Sequence, residues 1–327
     1  DFPEMAQRMT AEEIHAELDE LVSSQKIYTP AVEGLASAAA CAAFTFLLGG
    51  WIFEMIGAFV GAGLGNWLRD YMGTKKITLL GKTIPSVALA CFSYFLTLRI
   101  LSAAFGVSGS HITGYICAML FVIPGFPLIT GGIDLSKLDM RSGLERIAYA
   151  FVIILTATLT GWVTAMILRI HPNSFASLDF SQTTYLVLRL IMSFIGVFGF
   201  SLMYNSPAKM AGTAGLIGMV ANTLRLELVN VFGVPGGAAA FLGAMTAGLL
   251  GSIVTKKIGY PRISLTIPSI VIMVPGMYLY RSVYNFGLDA VGEGAVWLIR
   301  GLMIILALPL GLICARLLTQ KSFRHIS

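Results

Sequence analysis

The sequence predicts an all-α integral membrane protein of about ten transmembrane helices, arranged as two inverted five-helix repeats with Pro/Gly-broken helices. Three observations carry this. Apolar runs near membrane-crossing length recur along the chain, basic residues fall between alternate runs, and two four-residue motifs recur five runs apart. The composition agrees: 56% of the 327 residues are hydrophobic and 12% charged, with a mean hydropathy of +0.81, too few polar side chains to cover a soluble surface.

The polar start comes first. Residues 1–26 hold seven acids against Arg8 and Lys26. Thr10-Ala11-Glu12-Glu13 reads as a capping box opening a helix with Ile14, Leu18, Leu21 and Val22 on one face. The expectation for 1–30 is therefore a cytoplasmic acidic amphipathic helix and linker whose apolar stripe needs a partner surface. No basic stretch, short apolar core and cleavage site mark a signal peptide. With no initiator Met, the chain reads as a trimmed fragment of a longer polypeptide.

The apolar runs are Ala31 to Leu48, Ile52 to Leu68, Ile84 to Phe105, Ile112 to Ile129, Ile147 to Ile170, Tyr185 to Met203, Ala211 to Leu224, Ala238 to Val254, Ile263 to Tyr280 and Ala295 to Leu318. The seventh is short and Gly-rich, which leaves a re-entrant or broken helix open there. With both termini inside, all but six of the 22 basic residues fall on the inner side, the six being Arg99, Arg169, Arg189, Arg225, Arg281 and Arg300. Basic residues are retained on the cytoplasmic side, so this pattern predicts a multi-pass protein with cytoplasmic N- and C-termini.

Asn66-Trp67-Leu68-Arg69 ends the second run and Asn222-Thr223-Leu224-Arg225 the seventh. Val122-Ile123-Pro124-Gly125 lies in the fourth and Met273-Val274-Pro275-Gly276 in the ninth. Five is odd, so the second copy runs through the membrane in the opposite sense. The expected repeats are 31–170 and 185–318, with 319–327 a cytoplasmic tail. Gly57, Gly61 and Gly65, and Gly212, Gly215 and Gly218, read either as close-packing positions or as hinges. Pro124, Pro127, Pro268 and Pro275 deprive earlier carbonyls of donors, and in hydrocarbon such carbonyls need a partner or a water-filled cavity. The paired breaks predict discontinuous helices around a central site.

Among polar candidates, Asp134 follows the fourth run, where a carboxylate near the membrane marks either an ion route or an interfacial cap. Glu54, Arg99, Arg189 and Glu227 read as structural pairs or snorkelling side chains as readily as functional ones. Arg281, one turn past Tyr278, is a candidate for a substrate carboxylate, with interfacial anchoring the alternative. Ser108-Gly109-Ser110-His111 reads as a polar turn or as hydroxyls and an imidazole at the outer mouth. Gly106-Val107-Ser108-Gly109 resembles a rhomboid-type nucleophile motif, but the other histidines, His15, His171 and His325, lie in a tail, a loop and the C-terminus.

Several classes are excluded. Cys41, Cys91, Cys117 and Cys314 sit in apolar runs without paired or metal-ligand spacing, which argues against a disulfide framework or zinc module. The charge of +5 forms no continuous stripe for nucleic acid. Gly81-Lys82-Thr83 ends like a P-loop, but Lys76 stands where its first glycine belongs. No paired-His metalloprotease motif or potassium-type filter is present. No enzyme activity, cofactor or metal is expected, and transport must draw on an ion or substrate gradient.

Ile123-Pro124-Gly125-Phe126-Pro127-Leu128 with Gly132-Ile133-Asp134-Leu135, Ile267-Pro268-Ser269 leading into Val274-Pro275-Gly276-Met277-Tyr278, and the Gly-rich second run ending in Asn66-Trp67-Leu68-Arg69 together resemble the threonine/serine exporter family. The likeness covers about Glu33 to Leu318, both halves in one polypeptide. It implies plasma (inner) membrane export of small neutral amino acids, chiefly threonine and serine, driven by the proton motive force. Dicarboxylate export is the alternative from relatives split into two subunits, and a passive channel or structural subunit is the rival class. Members carry a longer cytoplasmic region, so the resemblance also implies a missing N-terminal domain. The expected partners are substrate, protons and membrane lipid, with homo-oligomerisation left open. Substrate is expected between the fourth and ninth runs, shaped by Pro124, Gly125, Pro127, Pro275, Gly276, Tyr278 and Arg281. Thr130, Asn66 and Asn222 are expected hydrogen-bond partners, the asparagines equally readable as interhelical ties. Asp134 is the expected coupling carboxylate.

Overall fold

In the computed structural model, residues 9–23, 26–106, 114–171, 175 and 178–320 are described, and among them every regular element is a helix. Helix α1 is Ala11–Ser23, opened as the sequence predicts: the Thr10 N–H donates to Glu13 Oε2 at 2.8 Å. These Thr10 hydrogen bonds hold the Glu13 carboxyl below its ordinary range. On its apolar face Ile14 is half-buried and Leu18 exposed.

The remaining helices are α2 (Pro30–Leu47), α3 (Ile52–Thr74), α4 (Leu79–Phe105), α5 (Tyr115–Ala118, continued by a 3-10 turn Leu120–Val122), α6 (Gly125–Ser136), α7 (Met140–Leu168), α8 (Gln182–Met203), α9 (Ala208–Asn230), α10 (Gly236–Ile258), α11 (Arg262–Val271), α12 (Gly276–Gly287) and α13 (Val291–Thr319). Local chemistry sets their ends. Pro30 sits in the first turn of α2, where the missing N–H costs nothing. Asp139 caps α7 by accepting the Ser142 N–H at 3.2 Å, and the Ser142 hydrogen bonds hold its carboxyl below its usual range. Gly106 and Gly259 close α4 and α10 in the left-handed conformation, at φ 66 and 83.

Among the described residues six helices, α2, α4, α7, α8, α10 and α13, are long and apolar enough to cross a membrane. Taken as bent units, the pairs α5/α6 and α11/α12 are also long and apolar enough, with bends of 54° and 48° at their breaks, giving up to eight spans. The sequence's other two crossings fall on α3 and α9. Each has 23 residues, about 34 Å of rise, yet they are not apolar enough to count: α3 carries Glu54, Asn66, Arg69 and Asp70, and α9 carries Asn222, Arg225, Glu227 and Asn230. The seventh run is nevertheless one unbroken helix.

Helices α2 and α8 pack against each other, and α3 and α9 flank them. Outward from there α3 meets α4 and α9 meets α10, while α4 meets α7 and α10 meets α13. The bent pairs run inside this frame, α5 against α2, α3 and α4, and α11 against α8, α9 and α10. Glycine makes the close approaches. A Cβ on Gly61 would lie 2.6 Å from the Ala90 carbonyl oxygen and one on Gly65 2.8 Å from that of Ser86, so the α3 glycines are packing positions against α4. Gly215 and Gly218 pack likewise, whereas a Cβ at Gly212 would meet open space.

Candidate transport site

The two breaks share one local geometry. Pro124 has φ −81 and ψ 64, Pro275 has φ −82 and ψ 53. In each case the following glycine N–H donates two residues back, Gly125 to the Ile123 carbonyl at 2.8 Å and Gly276 to that of Val274 at 2.9 Å. This is an inverse γ-turn, and proline's fixed φ suits its central position. Helices α6 and α12 start immediately afterwards, so their positive N-terminal ends lie at the breaks.

The breaks also cross. A Cβ on Gly125 would meet Val274 Cγ2 at 3.1 Å and Val271 Cγ1 at 3.2 Å, while one on Gly276 would meet Leu120 Cδ2 at 2.7 Å and Ile123 Cγ1 at 3.2 Å. Phe44 from α2 and Phe200 from α8 join them around a residual void of only about 10 Å³. That is about one water's worth of space and too small for any amino acid. Beside the crossing, Tyr115 and Tyr280 tie α5 to α12 through a buried hydroxyl pair at 2.6 Å.

A larger cavity lies to each side of this plug. One, of about 260 Å³, is lined by Lys26, Glu33, Asn66, Arg69, Asp70 and Lys82, with Pro124 and Pro127 in its wall. The other, of about 470 Å³, is lined by Tyr185, Arg189, Asn230, Tyr278, Arg281 and Trp297. They open at opposite ends of the bundle, because α2 contributes Glu33 to the first and Phe46 to the second, 13 residues or about 20 Å along the same helix.

The first cavity is zwitterionic. Lys26 Nζ stands 2.9 Å from Glu33 Oε2 and 3.7 Å from Asp70 Oδ1, and Asn66 Nδ2 donates to Asp70 Oδ2 at 3.1 Å. The Glu33 side chain is 5% exposed. The linker bearing Lys26 is stapled to the α8–α9 turn, the Ile27 N–H donating to Asn205 Oδ1 at 2.8 Å and the Tyr28 hydroxyl to the Ser206 carbonyl at 2.9 Å. In the second cavity Arg189 pairs with Glu227 at 2.7 Å, and the Arg281 guanidinium lies 4.9 Å from the Trp297 ring centroid. Such a lining offers cations and hydrogen-bond donors to a carboxylate.

Two family models match the chain, one described as "Putative threonine/serine exporter" over residues 4–169 and one as "Threonine/Serine exporter, ThrE" over 189–318. The chain belongs to the threonine/serine exporter family. This is a family of membrane transporters, and the apolar helices agree that the chain is a multi-pass membrane protein. It is also similar to the pheromone-regulated membrane protein 10 of Debaryomyces hansenii, 22% identical over 306 residues, 86% of this chain. The chain spans 28% of that relative's length. No solved structure matches it.

In this exporter-family chain Pro124, Gly125, Pro275 and Gly276 come together at the crossing. Asn66 and Pro127 line the charged cavity, and Tyr278 and Arg281 line the wider one.

The remaining expected residues lie elsewhere. Thr130 is buried and its hydroxyl donates to the Phe126 carbonyl of its own helix at 2.9 Å. Asn222 is an interhelical tie, donating to Ser193 Oγ at 2.9 Å and accepting from Arg225 Nε at 3.0 Å. Asp134 lines none of these three cavities; Arg146 Nη1 stands 2.9 Å from its Oδ2, linking α6 to α7. Glu54 accepts the Trp51 N–H at 3.0 Å, and Arg99 lies over Phe95. The polar run Ser108-Gly109-Ser110-His111, the rhomboid-like serine within it, and the tail from residue 321 onward, His325 included, lie outside the described residues. Sequence reasoning missed Glu33, Asp70 and the pair Phe44 and Phe200. Glu33 had a signal, a lone acid in an otherwise apolar run; the phenylalanines had none.

Proposed function

We propose that the chain is a secondary active exporter of small neutral amino acids, threonine and serine, working by alternating access between its two cavities. The observation that carries this reading is the apolar plug at the crossing of the two broken helices, with a charged cavity on either side. A carrier needs a closed barrier that moves from one side of its substrate to the other. The substrate carboxylate would meet the N-terminal ends of α6 and α12 and, in the wider cavity, Arg281; its ammonium group suits Glu33 and Asp70 in the other.

Residues 31–170 and 185–318 are proposed as inverted repeats of five helices. The reading is supported by matching turns at Pro124 and Pro275, by the recurrence of α2–α3, α3–α4 and α4–α7 packing in α8–α9, α9–α10 and α10–α13, and by the boundaries of the two family matches. The end of the bundle carrying Lys75, Lys76, Lys137, Lys256 and Lys257 is taken as cytoplasmic in the plasma membrane. Proton coupling is assigned to Glu33 and Asp70, which line a cavity beside the plug, in place of Asp134, which lines neither.

Radiolabelled threonine counterflow in proteoliposomes tests the reading. Stimulation by internal threonine or serine is expected, with a further response to an imposed pH gradient. Exchange of labelled succinate instead would transfer the site to dicarboxylates. Non-saturating flux without counterflow would make the chain a channel and end the carrier proposal.

A further inference from the structure

A further cavity, of about 220 Å³, lies where α6 ends, α11 begins and α13 ends. Three basic side chains line it, Lys137, Arg262 and Arg316, and no Asp or Glu is among the described residues of its lining. The rest of the lining is mostly aliphatic, Ile133, Ile263, Leu312 and Ile313, with Thr266 and Gln320 as neutral polar members. Arg262 is held in place by neutral acceptors, Nη1 donating to Thr319 Oγ1 and Nη2 to the Gly248 carbonyl, both at 3.0 Å. Arg316 Nε donates to Gln320 Oε1 at 2.6 Å. Converging like charges repel, so the arrangement favours an anion between them.

The surroundings indicate which anion. Ile263, Leu310 and Leu318 are exposed large apolar residues on the adjoining helices, in a chain of a membrane transporter family. A basic hollow between membrane helices, bordered by exposed aliphatic surface, matches a lipid that carries a phosphate above acyl chains. We infer that this cavity binds the headgroup of an anionic phospholipid, with Lys137, Arg262 and Arg316 around its phosphate. Because α6 and α11 are halves of the two broken helices, the lipid would bridge them. Binding itself does not depend on the transport reading.

The test is native mass spectrometry of the purified full chain titrated with phosphatidylglycerol, phosphatidylcholine or inorganic phosphate. Retention of phosphatidylglycerol over phosphatidylcholine is expected, weakened about fivefold by each of Lys137→Gln and Arg316→Gln. Lys256→Gln and Lys257→Gln, at the same end of the bundle but outside the cavity, are expected to leave it unchanged. Equal loss in both pairs of variants would overturn the site in favour of general surface charge. Equal retention of the two lipids, or displacement by phosphate at the same concentration, would overturn the lipid assignment. Thermal melting of each variant separates lost binding from lost folding.

Discussion

Phe44 and Phe200 meet edge to face across the middle of the bundle, ring centroids 6.5 Å apart and planes at 87°. One comes from α2 and the other from α8, the two helices that pack against each other at the centre of the frame. The pair joins Leu120, Ile123, Val271 and Val274 to seal the space between the two charged cavities. Edge-to-face rings are favourable beyond their buried area, so the seal is a stable contact that the proposed carrier cycle has to open.

Phe200→Ala is therefore expected to open the barrier. It should raise threonine leak from preloaded proteoliposomes in the absence of exchange substrate, and lower stability by about 3 kcal/mol. Phe200→Leu, which keeps most of the volume, should leak less. A leak no greater in the alanine variant than in the parent would remove the plug from the mechanism.

The glycines at the breaks are not equally tolerant. A methyl group on Gly276 would stand 2.7 Å from Leu120 Cδ2, whereas one on Gly125 would find its nearest neighbour at 3.1 Å. Leu120 is itself buried and packed, so it has little room to retreat. Gly276→Ala is expected to cost about 2 kcal/mol and Gly125→Ala less, typical of overpacking. Thermal melting of the two variants checks the order.

The two carboxylate sites separate in the same way. Glu33→Gln is expected to abolish stimulation by a pH gradient and to weaken threonine exchange without eliminating it, since Asp70 remains for the ammonium group. Asp134→Asn should leave the pH response unchanged and cost no more than about 1 kcal/mol, since its partner Arg146 is 48% exposed. If Asp134→Asn alone removed the pH response, the coupling assignment to Glu33 and Asp70 would fail.

Much of this was legible in the sequence, and the reasons for the gaps are physical. Pro-Gly pairs announce themselves because proline interrupts a helix wherever it falls, and Thr10 with Glu13 needs only local spacing. Lys26, Glu33 and Asp70 assemble through the α2–α3 hairpin, so no local pattern joins them. Phe44 and Phe200 look like any other apolar residue until the packing of α2 on α8 is known. The polar character of α3 and α9 was visible, but runs chosen for apolarity ended at Leu68 and Leu224, before Asp70 and Glu227 could weigh against them.

Arg189 and Arg281 share the wider cavity but have different attachments. Arg189 is paired with Glu227 and both side chains are mostly buried, at 15% and 17% exposed. Arg189→Gln would leave that carboxylate without its cation in a poorly solvated place, an expected loss of about 3 kcal/mol. Arg281 stacks on Trp297 and faces the cavity, so Arg281→Gln should act on substrate instead, raising the KM for threonine with a smaller change in melting temperature. Arg281→Lys keeps the charge but loses the planar, bidentate donor face, and should recover only part of the affinity. Unchanged KM in both Arg281 variants would limit this arginine to anchoring Trp297 and leave the substrate carboxylate to the helix ends at Gly125 and Gly276.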